Sequence, residues 1–544
     1  MLKTAEKIAT YLSTFSSEKG LYDPLESKIL PHYYGNSFYA LSCSLLYNKT
    51  KKKIWKERLE EALKNELRYT KERFKKVEMF RWEFKNYAFL KILLNKNLTK
   101  DLEIQVRKRI RDAQDEGSFK TNWIAMRALN NLMTAQIRQS KKYQRRAKKE
   151  LQRVLQRQTP EGLFFDAYES NSFQYHNYIL SLLIQYYDYA PHKELEQQIK
   201  KGLDVLINIT DPQGDCGYFG RGQEQVFGYV AAIYALSYAA KKWDKKYGPY
   251  AKQIFSYIEP YLEKNKIIAN EDEALRAGWY KYNCSTDYLA FAAAYLLLAE
   301  QYLNLKNTKY PKPREYEIFL ENSEVFIKRT KEYFIVVCAG NKEPSELPGT
   351  VHLYPRIIPC SGGPYVNARG KEYIHNFMGI GKENILFKKK GKFKRENESL
   401  ELRFHLKEMQ IVYTWKLTKD ITFSAEIIPQ KKITINPLHY CSWESLDGTK
   451  PEGEIVTPKG RAQEFVHTKV STDKKIKRTL VLYKGKKEPE KISAIYRSKV
   501  NRQKFLGQKI EHYCSLGLNK LIQHPKDFLY LLAFSYIRNK YKRR

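Results

Sequence analysis

The feature that most constrains this chain is a beat repeated six times over its first three hundred residues: a polar helical stretch, a loop, then a helix of small and aromatic apolar residues. The apolar helices open near Phe38, Tyr87, Trp123, Tyr178, Tyr229 and Tyr288, at successive spacings of 49, 36, 55, 51 and 59 residues. Polar partners are expected over 3–15, 55–69, 102–112, 143–156, 194–207 and 247–262. In each, apolar residues recur every three or four positions on one side, as in Trp55, Leu59, Leu63 and Leu67, the pattern of a helix resting one face on a core. The segments from Tyr229 and Tyr288 are apolar nearly all round, which suits a layer covered on every side. Six such hairpins bury best by closing into a ring, because an open row leaves its terminal inner helices exposed. The expectation is an (α/α)6-type toroid over 1–308, with an open helical solenoid as the structural rival. In a ring, the loops entering the inner helices share one rim.

The pattern changes past 305–314, where Pro311 and Pro313 sit among lysines as in a linker. Stretches 333–339, 400–406, 409–417 and 421–428 carry the β-branched and aromatic residues and partial alternation of strands. An antiparallel β-sandwich over 309–500 follows, then a helical tail over 501–544. The fold class is α+β multidomain.

Lysine and arginine number 97 against 60 acids, a formal net charge of +37. Such a field favours a polyanionic partner, while the plainer reading is that lysine fills solvated faces. No helix-turn-helix, zinc-finger or RNA-binding signature appears, so no nucleic-acid partner is expected. The seven cysteines are scattered without a CxxC pair, which argues against a disulfide framework. Cys338, Cys360, Cys441, His352 and His439 show no metal-ligand spacing, and the glycines after Ser361 lack a phosphate-loop pattern, so neither metal nor cofactor is expected. Residues 1–15 lack the marks of a secretory leader; the chain as written is expected in the cytoplasm, with export open if the true start lies elsewhere. No apolar stretch reaches the roughly 20 residues that span a bilayer.

The six rim loops hold the most unusual polar residues. Tyr34 and Asn36, Arg81 and Trp82, Trp123, Tyr178, Arg221 and Gln223, and Asn283 and Tyr288 are the substrate-binding candidates. Aromatic planes beside amides and arginines suit sugars, which offer apolar faces and hydroxyls together. A single loop of this kind is equally a capped helix start.

Two of these loops carry a resemblance. With Asn122-Trp123 opening one inner helix, and Gly162-Leu-Phe-Phe-Asp followed by Phe173-Gln-Tyr-His-Asn-Tyr at the next, the chain resembles the heparinase II/III-type polysaccharide lyases and their alginate-lyase relatives. Those proteins join an α/α toroid to an antiparallel β-sandwich, and an asparagine or histidine beside a tryptophan precedes their catalytic tyrosine by an interval like the 53 residues from Asn122 to Tyr175. The resemblance implies β-elimination from an anionic polysaccharide or oligosaccharide containing uronic acid. Tyr175 would serve as base and then acid, with Tyr178 as its neighbouring substitute, and Asn122 would neutralise the uronate carboxylate with help from Arg221 or Arg81. His176 would be a second base or neutraliser. His352, and more weakly Arg356, would reach the rim from the sandwich. Neutralising the carboxylate stabilises the enolate-like charge that develops when the adjacent proton leaves.

Two rival readings remain open on sequence. A glycoside hydrolase on the same toroid needs two opposed carboxyl groups, and Glu83, Asp166, Asp215, Glu224 and Asp287 lie near the rim. A non-catalytic polyanion-binding protein needs only the lysines.

Overall fold

A computed structural model describes residues 1–24, 27–30, 33–68, 79–110, 120–166, 171–220, 222, 225–267, 285–339, 350–354, 392–405, 409–430, 433–435, 452–456, 462–466, 470–472, 474–484 and 495–497. Twelve α-helices occupy the described part of the first three hundred residues. Six form an outer layer: α1 (Leu2–Ser13), α3 (Lys53–Arg68), α5 (Lys100–Arg109), α7 (Lys141–Leu155), α9 (Lys193–Ile209) and α11 (Gly248–Glu263). They alternate with an inner layer: α2 (Gly35–Thr50), α4 (Met79–Leu94), α6 (Thr121–Arg138), α8 (Phe173–Tyr189), α10 (Val226–Lys242) and α12 (Ser285–Ala299).

Composition sets which helix goes where. Outer α7 buries Tyr143, Ala147, Glu150, Leu151 and Val154, one stripe at helical spacing. Inner α10 buries every residue from Val226 to Ala239. The inner helices pack in the order α2, α4, α6, α8, α10, α12, and α12 packs back on α2, so the ring closes and the solenoid alternative falls. Its axis is filled rather than open: Phe38 stacks on Phe291 at 5.2 Å and Phe291 on Tyr295 at 4.2 Å. Gly228 makes one close approach possible, since a methyl group there would overlap the Gln174 side chain of α8.

Between α1 and α2 the chain forms a small three-stranded sheet, β1 (Ser16–Ser17), β2 (Gly20–Asp23) and β3 (Lys28–Ile29), which sequence periodicity did not reveal. Its Asp23 is fully buried and accepts from the backbone N–H and hydroxyl of Thr286 at 2.8 and 2.9 Å, tying the first loop to the start of the last inner helix.

The second region is antiparallel. Strands β4 (Tyr316–Leu320), β5 (Val325–Arg329), β6 (Phe334–Cys338) and β7 (Thr350–Tyr354) form one sheet in sequence order. Strands β8 (Lys392–Glu396), β9 (Ser399–His405), β10 (Met409–Leu417) and β11 (Asp420–Pro429) form another, with Ile476–Lys484 pairing on the far edge of β11. The two sheets bury Phe326, Ile335, Val337 and Leu353 against Leu402, Ile411, Tyr413 and Trp415. The alternate residues Val325, Ile327, Phe334, Val336 and Cys338 face the toroid, where they meet Leu163, Phe173, Val205 and Tyr218. Covered on both faces, β6 is apolar throughout. Cys43, Cys216 and Cys338 are buried and outside any disulfide, and no described helix is long and apolar enough to cross a membrane. The expected tail over 501–544 lies outside the described residues.

Candidate functional site

Alternation of inner and outer helices returns the chain to the same rim before each inner helix, and the first turns meet there. Tyr34 stacks on Phe84 at 4.5 Å, Phe84 lies 6.0 Å from Tyr178, Tyr175 and Phe227 are 5.2 Å apart, and Phe227 reaches Tyr288 at 5.8 Å. These rings lie at the rim where the inner helices begin, the mouth of the toroid. Each helix N-terminus bears a partial positive charge that an acid in the first turn usually offsets. Five of the six have no acid there; only α12 does, with Asp287.

Tyr175 and Asn122 occupy the first turns of neighbouring inner helices, α8 and α6. Ser172 caps α8 by accepting from the Tyr175 N–H, which fixes where that turn begins. Tyr175 is 8 % exposed and Asn122 2 %. The Asn122 Oδ1 end of the carboxamide is buried with no hydrogen-bond partner among the described residues. Beside Tyr175 lies a residue the sequence reading passed over. Gln225 is fully buried at the N-cap of α10, and neither end of its amide has a described partner. Gly222, at φ +82°, joins the two: a methyl group on it would stand 3.2 Å from Gln225 Oε1, 3.3 Å from Phe227 and 3.3 Å from the Tyr175 ring. The signal was present in the sequence as Gly-Arg-Gly-Gln-Glu-Gln, but which glutamine points inward depends on where α10 starts.

His176, expected in a catalytic role, is committed elsewhere. Its Nδ1 accepts from the Phe164 N–H at 3.0 Å and its Nε2 lies 3.1 Å from the Gly202 carbonyl, so both ring nitrogens bind backbone. Burial lowers its pKa to about 4. It pins the loop after α7 onto α9 and leaves no nitrogen for a substrate. Tyr178, the expected stand-in for Tyr175 and a substrate-binding candidate, points into the filled axis at 1 % exposure. Burial raises its pKa well above the ordinary phenol, a poor property for a base.

The remaining rim candidates divide. Tyr34 and Tyr288 belong to the aromatic floor, and Trp123 is partly exposed. Trp82 is buried in the first turn of α4. Asn36 gives its Nδ2 to the Ala62 carbonyl at 2.9 Å and to Glu66 Oε2 at 3.1 Å, and Glu66 pairs with the buried Lys85. That amide is used to fasten α2 to α3. Arg221, Gln223 and Asn283 lie outside the described residues, as do Glu224, Arg356 and the side chain of Arg81.

His352 is brought to the toroid, as alternation along β7 requires, since Val351 and Leu353 face the sandwich core. It arrives at the seam between the two regions rather than among the described mouth residues. Its ring stacks on Tyr218 at 3.7 Å and 7°, and its Nε2 lies 3.1 Å from Asp211 Oδ2. Asp211 Oδ1 accepts the N–H groups of Gln213, Gly214 and Asp215. Asp215 Oδ1 accepts from Gly217 N–H and the Tyr229 hydroxyl, and its Oδ2 from the Tyr257 hydroxyl. Burial raises the Asp215 pKa. Among the described residues, Asp211, Asp215 and His352 are the group whose donor atoms lie close enough to hold a cation. All four carboxylate oxygens already have hydrogen-bond partners.

The carboxylates that a hydrolase would need are also engaged. Glu83 accepts from the Asn130 amide at 2.8 Å, and fully buried Asp166 lies 3.4 Å from Lys120 Nζ. Asp287 accepts the Gly35 N–H at 2.5 Å, capping α2 from α12, and Asp215 belongs to the seam.

No family model matches this chain, and no curated protein matches it either. Solved structures do. The crystal structure of heparinase III is similar at 13 % identity, over 84 % of this chain and 75 % of that one, with a TM-score of 0.47. The Streptomyces coelicolor A3 chondroitin AC lyase in complex with chondroitin sulphate is similar at 10 % identity, over 94 % and 80 %, with a TM-score of 0.46. The GH76A α-1,6-mannanase from Salegentibacter sp. HEL1_6 is similar at 11 % identity, over 55 % of this chain and 98 % of that one, with a TM-score of 0.41. Lyases and glycoside hydrolases both stand among these neighbours.

Proposed function

We propose that the protein is a polysaccharide lyase that cleaves a uronic-acid-containing polysaccharide or oligosaccharide by β-elimination at the toroid mouth. The observation that carries this reading is the placement of Tyr175 and Asn122 on the first turns of adjacent inner helices, with Asn122 Oδ1 buried and without a described partner. Four helix N-termini, those of α4, α6, α8 and α10, have no first-turn acid, whereas Asp287 serves both α12 and α2; the four make the mouth favourable to an anionic sugar. Asn122, with Gln225 beside Tyr175, would donate to the uronate carboxylate and stabilise the charge that develops as the neighbouring proton is removed. Tyr175 would take that proton and return it to the departing glycosidic oxygen. Hydrolysis is disfavoured because the described rim acids Glu83, Asp166 and Asp287 are bonded to amide, lysine and backbone donors.

The test is product chemistry. Incubation with glycosaminoglycans, alginates and bacterial capsular polymers is expected to give an unsaturated uronate that absorbs in the ultraviolet. Tyr175→Phe should lower that rate by about 10²- to 10⁴-fold, the usual worth of a general acid–base group. New reducing ends without absorbance, or full activity in the Tyr175→Phe variant, would sink the proposal.

A further inference from the structure

Asn122 and Tyr175 each have a chain neighbour bonded to the same short hairpin. After α7 the chain turns back on itself over 157–166: Phe165 N–H donates to the Arg157 carbonyl at 3.1 Å, Thr159 N–H to the Leu163 carbonyl at 2.8 Å, and Gln158 pairs with Phe164. Gly162 closes the turn at φ +112°, where a methyl group would stand 2.6 Å from the Lys201 backbone of α9. Gln158 Nε2 donates to the Gln198 carbonyl at 2.8 Å, so the hairpin is seated on α9.

From that seat it holds both inner helices. On α6, the Thr121 N–H donates to the Asp166 carbonyl at 2.7 Å, the Thr121 hydroxyl accepts from Arg157 Nη1 at 3.3 Å, and Lys120 Nζ lies 3.4 Å from Asp166 Oδ2. Thr121 is the residue before Asn122. On α8, His176 Nδ1 accepts the Phe164 N–H at 3.0 Å, and His176 is the residue after Tyr175. Phe164 and Asp166 are two positions apart, so both grips belong to one hydrogen-bonded piece of backbone.

Asp166 is fully buried and Lys120 is 6 % exposed. Burying an ion pair is costly, and apolar residues of the same volume often hold a fold as well or better. What a charged pair adds is one preferred geometry, and the geometry fixed here is that of the α6 N-cap, Lys120, two residues before Asn122.

We propose that Asp166 is a positioning residue: by clamping the start of α6 to a hairpin that also holds α8, it sets the separation of the Asn122 carboxamide and the Tyr175 phenol. The proposal rests on the reading of those two side chains as the groups that act on the sugar. A misplacement of about 1 Å between groups that share one substrate can cost on the order of 100-fold in rate.

Two variants of the full-length protein test it. Asp166→Asn keeps the side-chain volume and the backbone carbonyl but removes the charge that holds Lys120. Lys120→Met combined with Asp166→Leu removes both charges, leaves no ion buried, and is expected to fold at least as stably as the unaltered protein. In both, kcat per folded molecule for formation of ultraviolet-absorbing product is expected to fall about 10- to 100-fold, with KM changed by less than about threefold. Amide hydrogen exchange, which needs no substrate, is expected to quicken at least about tenfold in the first turns of both α6 and α8, while the first turn of α10 changes less than about threefold. An unchanged kcat in the stable double variant would overturn the proposal, as would exchange that quickens in α6 alone. If no polymer yields absorbing product but exchange quickens in both first turns, the brace stands and the elimination reading falls. Product formed at full rate by both variants keeps the elimination and removes the brace. New reducing ends without absorbance, lost on Asp166→Asn, would make Asp166 a hydrolytic acid and overturn both.

Discussion

The seam between toroid and sandwich and the mouth of the toroid both bury polar side chains, and they treat them in opposite ways. At the seam, Asp211 and Asp215 are carboxyl groups removed from water, and each of their four oxygens has a hydrogen-bond partner. At the mouth, the amides of Asn122 and Gln225 are equally buried, yet Asn122 Oδ1 and both ends of Gln225 have no described partner. A buried polar group without a partner costs about 1–3 kcal/mol. Single amide oxygens without a described partner also occur in the scaffold, at Asn131 in α6 and at Gln253 beside Asp211, so what sets the mouth apart is Gln225, which lacks a described partner at both ends of its amide.

The largest effect that could break this contrast is at Asp211. Replacing it by alanine strips the backbone turn at 211–215 of its acceptor and leaves His352 stacked on Tyr218 without its acid. Each buried N–H left without its acceptor costs about 1–3 kcal/mol. Asp211→Ala should lower the denaturation midpoint accordingly, measured by chemical unfolding, while the rate per folded molecule stays near that of the unaltered protein. A rate that collapses with stability intact would make the seam part of the site.

The ring was legible because its cause is periodic. One-sided stripes at Trp55, Leu59 and Leu63 and all-round apolarity from Tyr229 to Ala240 mark outer and inner layers before any coordinates. Closure itself was an argument from burial, and the contact of α12 with α2 bears it out. The roles of single polar residues were less legible, because they depend on what a second segment brings. His176 next to Tyr175 looks like a catalytic neighbour, but one helical step turns it outward to the Phe164 N–H and the Gly202 carbonyl. Asn36 reads as a sugar ligand until Glu66, thirty residues on, takes its amide. Gln225 closes the Gly-Arg-Gly-Gln-Glu-Gln run, but only the approach of Gly222 to Tyr175 brings it forward.

His176 yields the next largest effect and sharpens the division between scaffold and site. Its pKa falls from 6.5 to about 4 on folding, because the buried ring cannot accept a proton without losing its backbone bonds. The unfolded chain thus binds the extra proton first as pH drops. The contribution is complete above about pH 6.5 and is lost as pH falls through 4, and the difference corresponds to about 3 kcal/mol. His176→Gln should lower stability at neutral pH and remove this part of the acid dependence. If His176 is only a fastener, the pH profile of turnover keeps its shape in the variant. A vanished limb in that profile would return the residue to the chemistry.

The smallest effect is the most discriminating, because stability and activity should move in opposite directions. Gln225 does not cap α10 through its side chain, and both ends of its amide are unpartnered among the described residues. A methionine of similar length fills the same space without the unmet polar atoms. Gln225→Met should therefore leave stability unchanged or raise it by about 1 kcal/mol. The same change removes a donor beside Tyr175, so turnover of the uronate substrate should fall about tenfold, the worth of one hydrogen bond to a developing charge. Function kept at the expense of stability is the mark of a residue held for a ligand. If Gln225→Met instead destabilises the protein and spares turnover, the amide is structural after all, and the contrast between mouth and seam loses one of the two residues on which it stands.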